Sequence, residues 1–295
     1  MKGEHSSDPK VTVVIPCYND GAYIDDAIRS ILNQTYQDYR IIVVDDGSDD
    51  TATIEKLKSL NYPKTTVLHK KNGGVSSARN YGVKYSNSEY LLFLDADDFF
   101  ENSYLEKAVN VLDNNSKIGV VSCYERYFCE HDIEKTINIY KPKGGGVENF
   151  LVENNALSNS LVRYECWCDA GGYIETLLSH EDWGFWISIT KKGWLVYTIP
   201  EILANYRVTR KSKYNKYKHK KPELIKKIIE HNKDIYMEYV AECLYEKEKE
   251  ILHLKEKAKN DQNKIKKSYP YLIGLYITFP FRVIRKIVGV TKKIP

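Results

Sequence analysis

Residues 90–98 read Tyr-Leu-Leu-Phe-Leu-Asp-Ala-Asp-Asp, an apolar run that leads directly into three acids spread over four positions. An unbroken apolar run bounded by polar residues is typical of a strand buried on both faces of a sheet. In open α/β sheets, ligands bind in the crevice at the carboxyl ends of the strands. Asp95 and Asp97 are therefore placed to share one cation such as Mg²⁺, which takes one or two carboxylates together with substrate phosphates. The alternative is that Asp97 or Asp98 caps a helix over 99–112.

The residues before this stretch alternate between strand and helix patterns. Strands rich in β-branched residues are predicted at Val11–Ile15, Arg40–Val44 and Thr65–His69. Helices are predicted after Asp20 or Gly21, after Thr51, and over Val75–Tyr85. This β-α-β alternation indicates an α/β fold with a mostly parallel sheet and right-handed crossovers.

A second pair of acids, Asp45 and Asp46, follows the second predicted strand. The Asp-Gly dipeptide favours a turn by itself, so turn chemistry is one explanation of this pair. Carboxylates gathered at one edge of a sheet repel one another unless a cation or hydrogen-bond donors neutralise them. Two acidic clusters at the same predicted edge therefore favour a ligand site.

The region after the central stretch is predicted to be more irregular. A helix is expected at 101–113, a strand at 118–122 and an irregular β segment over 124–141. Further strands are expected at 157–162, 194–199 and 202–207, and the sequence His180-Glu-Asp-Trp183 opens a helix. The chain thus reads as a flexible N-terminus at 1–10 and one domain at 11–208.

The remaining chain is predicted as a basic loop at 209–221 and a helical extension at 222–295. Residues 207–221 hold eight Lys and Arg and no acid, and residues 201–295 hold 24 Lys and Arg against 11 acids. Residues 223–260 fit heptads only in places, which favours a solvated helix packed on one face over a short coiled coil. Over 271–290, basic residues beside an apolar face indicate a helix that lies in a membrane interface.

Composition argues against several classes of protein. The hydrophobic content of 42% and charged content of 28% are those of a globular protein. The six cysteines form no CxxC pair, the first ten residues are hydrophilic, and no apolar stretch reaches the ~20 residues of a spanning helix. We therefore expect a protein of a reducing compartment that is not transmembrane. The basic run lacks a recognisable nucleic-acid module, so no nucleic-acid partner is expected.

Six motifs in this order resemble the family 2 glycosyltransferases of the GT-A fold, over about residues 10–208. They begin at Val13, Ile42, Asn72, Leu92, Gly171 and Glu181, and they read VVIPCYN, IVVDDGSD, NGG with a later ARN, LFLDADD, GGY and EDW. The resemblance implies a Rossmann-like central sheet flanked by helices. It also implies transfer of a sugar from a nucleotide diphosphate sugar to an acceptor hydroxyl, with inversion at the anomeric carbon.

The resemblance also implies roles for individual residues. Asp182 matches the catalytic base, and Asp97, with Asp95 as a further candidate, matches the metal ligand. The nucleotide-sugar site would comprise Pro16, Tyr18, Asp45, Asp46, Arg79 and Asp95, with Asp46 the better match to the base-binding position and Asp95 near the ribose. Candidates on the acceptor side are Glu181, Trp183 and Tyr173.

Several of these residues have structural alternatives. Asp182 could instead cap the helix that follows it, and Arg79 could be a surface residue of its helix. Aromatic residues at helical spacing, such as Trp183, are more often part of a core. The chain lacks the Gln-x-x-Arg-Trp motif of processive synthases and has Asn205-Tyr-Arg207 near that region, which argues against a processive enzyme.

The expected protein is a hexosyl- or N-acetylhexosaminyltransferase that needs Mn²⁺ or Mg²⁺ and uses a UDP-sugar. Its expected acceptor is a glycan or a lipid-linked glycan of a surface polysaccharide such as a capsule or O-antigen. We expect it to be cytoplasmic and peripheral on the inner face of the cell membrane, and a homodimer is left open. The alternatives are a nucleotidyltransferase and a non-enzymatic scaffold of a glycan-assembly complex.

Overall fold

The computed structural model describes residues 8–209 and 217–267, and the part of it before residue 240 forms a nine-stranded sheet with helices packed against it. The strands are β1 Val11–Cys17, β2 Tyr39–Asp45, β3 Thr65–His69, β4 Tyr90–Phe93, β5 Phe99–Phe100, β6 Ile118–Cys129, β7 Asp132–Tyr140, β8 Leu161–Arg163 and β9 Leu195–Val208. The helices are α1 Ile24–Leu32, α2 Thr51–Lys58, α3 Val75–Val83, α4 Tyr104–Asn114, α5 Tyr164–Ala170, α6 Glu181–Thr190, α7 Lys221–His231, α8 Lys233–Glu238 and α9 Val240–Lys267.

The sheet has the order β3-β2-β1-β4-β8-β6-β9-β5, and β7 pairs with residues 125–129 of β6. The pairs among β1, β2, β3 and β4 are all parallel, as is the pair β6–β9. The strands β5, β7 and β8 pair antiparallel with their neighbours. The predicted α/β class is confirmed.

The strand order reverses direction between β1 and β4, because β2 and β3 extend the sheet on one side of β1 and β4 lies on the other. Such a switch point leaves a crevice outside the carboxyl ends of the two strands, which is where open α/β sheets bind ligands. Residue 95 follows β4 at this point, and Tyr18 follows β1. The acidic end of the stretch 90–98 therefore lies at the switch point.

The core forms where the sequence is most apolar. All seven residues of β1 and all four of β4 are buried, as expected for strands covered on both faces. Helix α1 packs on the sheet through Ile24, Ala27, Ile28 and Ile31, which recur at helical spacing and are fully buried. Asp50 caps α2 by accepting a hydrogen bond from the Thr53 amide.

Four boundaries differ from the sequence-based predictions. The helix expected from 99 or 101 begins at Tyr104, because Phe99 and Phe100 pair with β9 as a short strand. The strand expected at 157–162 is limited to Leu161–Arg163, and the two last strands are one continuous β9. The helix expected over 223–260 is divided into α7, α8 and α9.

The chain divides into two compact units between Tyr239 and Val240. Helices α7 and α8 belong to the first unit, where Leu224 and Ile228 of α7 are buried. Helix α9 is the described part of the second unit, and none of its residues is buried. The expected packing of one face of this helix stays a prediction. The predicted basic loop falls largely on 210–216, and the predicted amphipathic helix falls on 271–290. Both lie outside the described residues.

Candidate active site

Hydrogen bonds join the loop after β1 to the loop after β2. Pro16 is buried within β1, whereas Tyr18 is 42% exposed and its hydroxyl donates to Asp49 at 3.3 Å. The side-chain amide of Asn19 forms further bonds to the same loop. Its Nδ2 donates to Asp49 at 2.6 Å, and its Oδ1 accepts from the backbone N–H groups of residues 49 and 50. Tyr18 therefore lies at the crevice with its ring accessible, as the prediction of a nucleoside contact requires.

Asp45 and Asp46 are both buried, and both are held by hydrogen bonds from the protein. The Asp45 carboxylate accepts from the Ser48 amide and from His69 Nδ1, each at 2.9 Å. Burial opposes ionisation of Asp45, but the hydrogen bonds from His69 and Ser48 outweigh it and lower the pKa of this carboxyl. Asp45 is thus an ionised acceptor that fixes the turn after β2.

Asp46 organises the glycine loop in front of α3. Its carboxylate accepts from Lys70 Nζ at 2.6 Å, from the Gly73 amide at 3.0 Å and from the Gly74 amide at 2.7 Å. Gly74 has φ +87°, a conformation that favours glycine, so the loop can turn its amide towards the acid. Since a carboxylate has about four acceptor positions, Asp46 retains room for about one further donor, such as a base N–H.

Arg79 is fully buried and forms two ion pairs, which excludes the surface position considered for it. Its guanidinium donates to Asp95 Oδ1 at 2.7 Å and to Glu181 Oε1 at 3.0 Å, and it lies over the ring of Tyr173 with 5.0 Å to the centroid. Burial disfavours the charged form, but Asp95 and Glu181 outweigh this and raise the pKa of Arg79. Arg79 therefore joins the acidic stretch after β4 to the start of α6.

The three acids after β4 have separate environments. Asp95 is partly exposed and is paired with Arg79. Asp98 is fully buried and accepts from the Arg207 amide at 2.9 Å and from Asn159 Nδ2 at 2.8 Å. The alternative that Asp98 caps a helix is wrong, because α4 begins six residues later and Asp98 accepts hydrogen bonds inside the fold.

Asp97 is the acid of this group with the environment of a cation ligand. It is partly exposed, and burial followed by the charges of Asp95 and Asp20 raises the pKa of its carboxyl to about 7. A divalent cation would stabilise the ionised form against these neighbours. Within 8–209 and 217–267 no group of three or more acids, His or Cys is arranged to hold a metal. Two carboxylates nevertheless suit a cation that takes its other ligands from substrate phosphates.

Arg207 begins the basic run in the sequence, and in the structure it is the penultimate residue of β9 and is 6% exposed. Its guanidinium donates to the backbone oxygen of Asp97 at 2.9 Å and to Asp26 Oδ2 at 2.8 Å. It also lies over the rings of Tyr23 and Phe128. Arg207 thus holds the backbone of the acidic stretch, a role that sequence reasoning missed because it depends on strand pairing.

Asp182 lies in the first turn of α6 and is the acid whose environment suits a general base. It is partly exposed and accepts a hydrogen bond from Asn154 Nδ2 at 2.7 Å. Burial, followed by the charge of Glu181, raises the pKa of Asp182 to about 6. A base whose pKa is close to the working pH combines ionisation with a strong tendency to accept a proton.

The three residues predicted on the acceptor side are occupied by internal contacts. Glu181 is buried and paired with Arg79. Trp183 is 5% exposed and its Nε1 donates to the Phe150 backbone oxygen, while Tyr173 is 3% exposed and stacks on Phe185 at 4.1 Å. These contacts support the alternative that the aromatic pair belongs to the core.

Two asparagines that sequence reasoning did not select position the acids. Asn159 accepts from the Asp95 amide and donates to Asp98, while Asn154 donates to Asp182. Both lie in the polar loop Glu153-Asn-Asn-Ala-Leu-Ser-Asn-Ser160, whose three asparagines were the signal available in the sequence. This loop therefore forms hydrogen bonds both to the acidic stretch 95–98 and to the start of α6.

Comparisons with known proteins relate the chain to one family of enzymes. The family model described as "Glycosyl transferase family 2" matches residues 12–166. An uncharacterised glycosyltransferase of Haemophilus influenzae is 29% identical over 246 residues, which are 79% of this chain and 76% of the relative. The putative teichuronic acid biosynthesis glycosyltransferase TuaG of Bacillus subtilis is 27% identical, with 71% of this chain and 84% of that protein covered. This chain spans only 14–27% of several longer relatives.

Two solved structures have the same fold. Residues 1–349 of S. aureus TarS in complex with UDP-GlcNAc align with a TM-score of 0.57 and 19% identity, covering 69% of this chain and 60% of that 1–349 chain. The mannosyltransferase PcManGT of Pyrobaculum calidifontis in complex with GDP-Man and Mn²⁺ aligns with a TM-score of 0.54 and 21% identity, covering 71% and 60%. These likenesses confirm the predicted GT-A fold.

Proposed function

We propose that this chain, which belongs to glycosyl transferase family 2 because the family model matches more than half of it, transfers one sugar from a nucleotide diphosphate sugar to an acceptor hydroxyl. The observation that carries the proposal is the joining of two acidic groups through Arg79. Arg79 binds Asp95 at the switch point of the sheet and Glu181 beside Asp182. One site thus contains a place for phosphates and a base for the acceptor.

Asp182 is the residue to which we assign the acceptor proton. A hydroxyl is a poor nucleophile, so a carboxylate must accept its proton as the oxygen attacks the anomeric carbon. Asn154 Nδ2 donates to one oxygen of Asp182 and so helps to fix the orientation of this carboxylate. Direct attack assisted by one base leads to inversion, and no covalent intermediate on the protein is needed.

Asp95 and Asp97 are assigned to the phosphate side of the site. A divalent cation, Mn²⁺ or Mg²⁺, bound there would stabilise the charge that the departing nucleoside diphosphate gains. The two acids are held in place by Arg79 and by the backbone contacts of Arg207 and Asn159. The manganese in the PcManGT complex is in keeping with this assignment.

The donor is proposed to be a UDP-sugar, from which a hexose or an N-acetylhexosamine is transferred. Tyr18 offers an accessible ring at the crevice, and Asp46 retains an acceptor position for a base N–H beside the buried Pro16 and Asp45. The TarS complex with UDP-GlcNAc has the same fold, which makes UDP-GlcNAc the first donor to test. The teichuronic acid relative supports a surface polysaccharide as the product. Our proposal adds a lipid-linked glycan as the acceptor.

Replacing Asp97 by Ala is expected to abolish the metal dependence of donor binding, because the cation loses a carboxylate ligand. Isothermal titration of UDP-GlcNAc with and without Mn²⁺ measures this. The wild-type protein should bind at least tenfold more tightly with Mn²⁺, and the variant should show no difference. The exposed Asp132→Ala variant is the control. Unchanged metal dependence in Asp97→Ala would remove Asp97 from the phosphate side, and absence of donor binding by the wild-type protein would refute a UDP-GlcNAc donor.

We also propose that the chain acts at the cytoplasmic face of the cell membrane and binds it peripherally through residues 268–295. The support is the sequence alone, since 271–290 combine apolar residues with Arg282, Arg285 and Lys286. In the described residues no helix is long and apolar enough to cross a bilayer.

Deleting residues 268–295 should release the protein from vesicles that contain anionic lipid, as measured by co-sedimentation. The expected loss is at least tenfold, because both apolar burial and attraction to anionic lipid are removed. Neutral vesicles serve as the control and should bind the full chain more weakly. Equal sedimentation of the full and shortened chains would refute membrane binding by this segment.

A further inference from the structure

One face of the β7-β6-β9 part of the sheet carries a group of aromatic and acidic side chains that the proposed reaction has not used. Glu125 and Tyr127 lie two residues apart on β6 and therefore on the same face. Tyr127 is paired with Tyr206 of β9, and Glu125 is paired with Tyr140 of β7. Directly paired residues on neighbouring strands project to the same side.

The tyrosines of this face form a surface that a ligand can reach. The rings of Tyr127 and Tyr206 have centroids 4.9 Å apart and planes inclined by 42°. Both side chains are partly exposed, as is Tyr140. In contrast, Phe128, which follows Tyr127 and points to the other face, is fully buried.

This face borders the reaction centre. The Tyr140 hydroxyl donates to the Asn154 backbone oxygen at 2.5 Å, and the side chain of Asn154 donates to Asp182 at 2.7 Å. Burial, followed by the charges of Asp95 and Asp182, raises the pKa of Glu125 to about 8. The face is therefore connected to the proposed base, Asp182, by two hydrogen bonds. The charges of Asp95 on the phosphate side and of Asp182 on the acceptor side both act on Glu125.

Glu125 is 5% exposed, and no group in residues 8–209 and 217–267 donates a hydrogen bond to its carboxyl. The carboxyl of Glu125 therefore has acceptor positions open to a ligand hydroxyl. The position of Glu125 in the tyrosine-lined face indicates where that ligand sits.

We propose that Glu125, Tyr127 and Tyr206 form the acceptor subsite, in which a pyranose ring lies on the tyrosine pair and one of its hydroxyls hydrogen bonds to Glu125. The apolar C–H face of a pyranose packs on aromatic rings. A sugar hydroxyl can donate and accept, which suits a carboxyl in either protonation state. This inference rests on the proposed function, because it gives Asp182 its acceptor.

The chemistry of the face favours a neutral sugar over the nucleoside diphosphate. Within the described residues, the acids around it include Glu125, Asp98 and Asp182, and their charges act on Tyr127. A phosphate gains no counter-charge from these acids and is repelled by the ionised Asp182, whereas a neutral polyol is not. The donor residues Tyr18 and Asp46 lie at β1 and β2, on the other side of β4 in the sheet.

Saturation-transfer NMR with octyl β-D-glucoside, octyl β-D-galactoside and octyl N-acetyl-β-D-glucosaminide tests the subsite in the presence of UDP. The wild-type protein should transfer saturation to the sugar-ring protons of at least one glycoside. Tyr127→Ala and Tyr206→Ala should weaken its binding about tenfold, and Tyr127→Phe should retain it because the ring is kept. Glu125→Leu should also weaken binding, while Glu125→Gln, which still hydrogen bonds, should stay within a few-fold of the wild-type protein.

Tyr197→Ala is the matched control, because Tyr197 is an exposed tyrosine on the same strand β9 and should leave binding unchanged. Wild-type binding with equal binding by the Ala variants would overturn the subsite, as would failure of all three glycosides to bind. Binding of UDP-GlcNAc is measured on the same samples. If it is intact while the glycosides fail, only the subsite is refuted, whereas its loss in the wild-type protein refutes the proposed donor.

Discussion

Replacing Asp182 by Asn is expected to lower the rate of sugar transfer by about 10²–10⁴-fold, the usual contribution of a general base. The amide has nearly the same shape and can still interact with Asn154, but it cannot accept the acceptor proton. Binding of UDP-GlcNAc should stay within a few-fold of the wild-type value, because Asp182 is assigned to the acceptor and not to the phosphates. Single-turnover transfer and isothermal titration measure the two quantities separately.

The pH profile provides a second readout of the same residue. A base must be ionised to accept a proton, and the pKa of Asp182 is raised to about 6. The rate of the wild-type protein should therefore fall about tenfold for each pH unit below about 6. The residual rate of Asp182→Asn should lack this fall, because the titrating group is gone.

Glu153→Gln is the matched control, since Glu153 is an exposed acid beside Asn154 that pairs with Lys143 at the surface. It should change neither the rate nor the pH profile appreciably. An Asp182→Asn variant that transfers sugar at the wild-type rate would exclude Asp182 as the base. A variant that loses donor binding to the same extent as transfer would place Asp182 on the donor side instead.

The parts of the site that the sequence predicts well are those set by local pattern. The apolar run before Asp95 is a strand because its neighbours in sequence are apolar, and the acids follow it at the edge for the same reason. The acids Asp45 and Asp46 likewise end β2. Local pattern also predicts that Asp182 lies in the first turn of a helix.

The parts that the sequence does not predict depend on contacts between distant residues. Phe99 and Phe100 follow two acids that could cap a helix, but pairing with β9 makes them a strand. A single acid within a strand, such as Glu125, forms no sequence pattern from which a site could be predicted. Its relation to Tyr206 appears only once β6 and β9 are paired.

Arg79 is the clearest example of such a contact, and its removal is expected to have the largest effect on stability. The residue lies 16 positions from Asp95 and 102 from Glu181, so no local pattern could predict its two ion pairs. Arg79→Met leaves both carboxylates without their cation in a buried setting. Removing one partner of a buried pair typically costs about 3–5 kcal/mol. The partial exposure of Asp95 favours the lower end of this range.

For a chain of this size, the cost corresponds to a lowering of the melting temperature by about 6–20 °C. Thermal unfolding followed by circular dichroism measures it. Lys107→Met is the matched control, because Lys107 pairs with Glu201 at the surface, and an exposed pair contributes about 0.2–1 kcal/mol. A melting temperature of Arg79→Met close to that of Lys107→Met would contradict the structural role.

The double variant Arg79→Met with Glu181→Gln separates charge from packing. If the loss in Arg79→Met comes from unpaired carboxylates, neutralising Glu181 should recover a large part of it, because buried charges removed together cost far less than one partner alone. If the loss comes from a packing defect over the Tyr173 ring, the double variant should be no more stable than the single one. Recovery would show that Arg79 holds the phosphate side and the base side of the site together through charge.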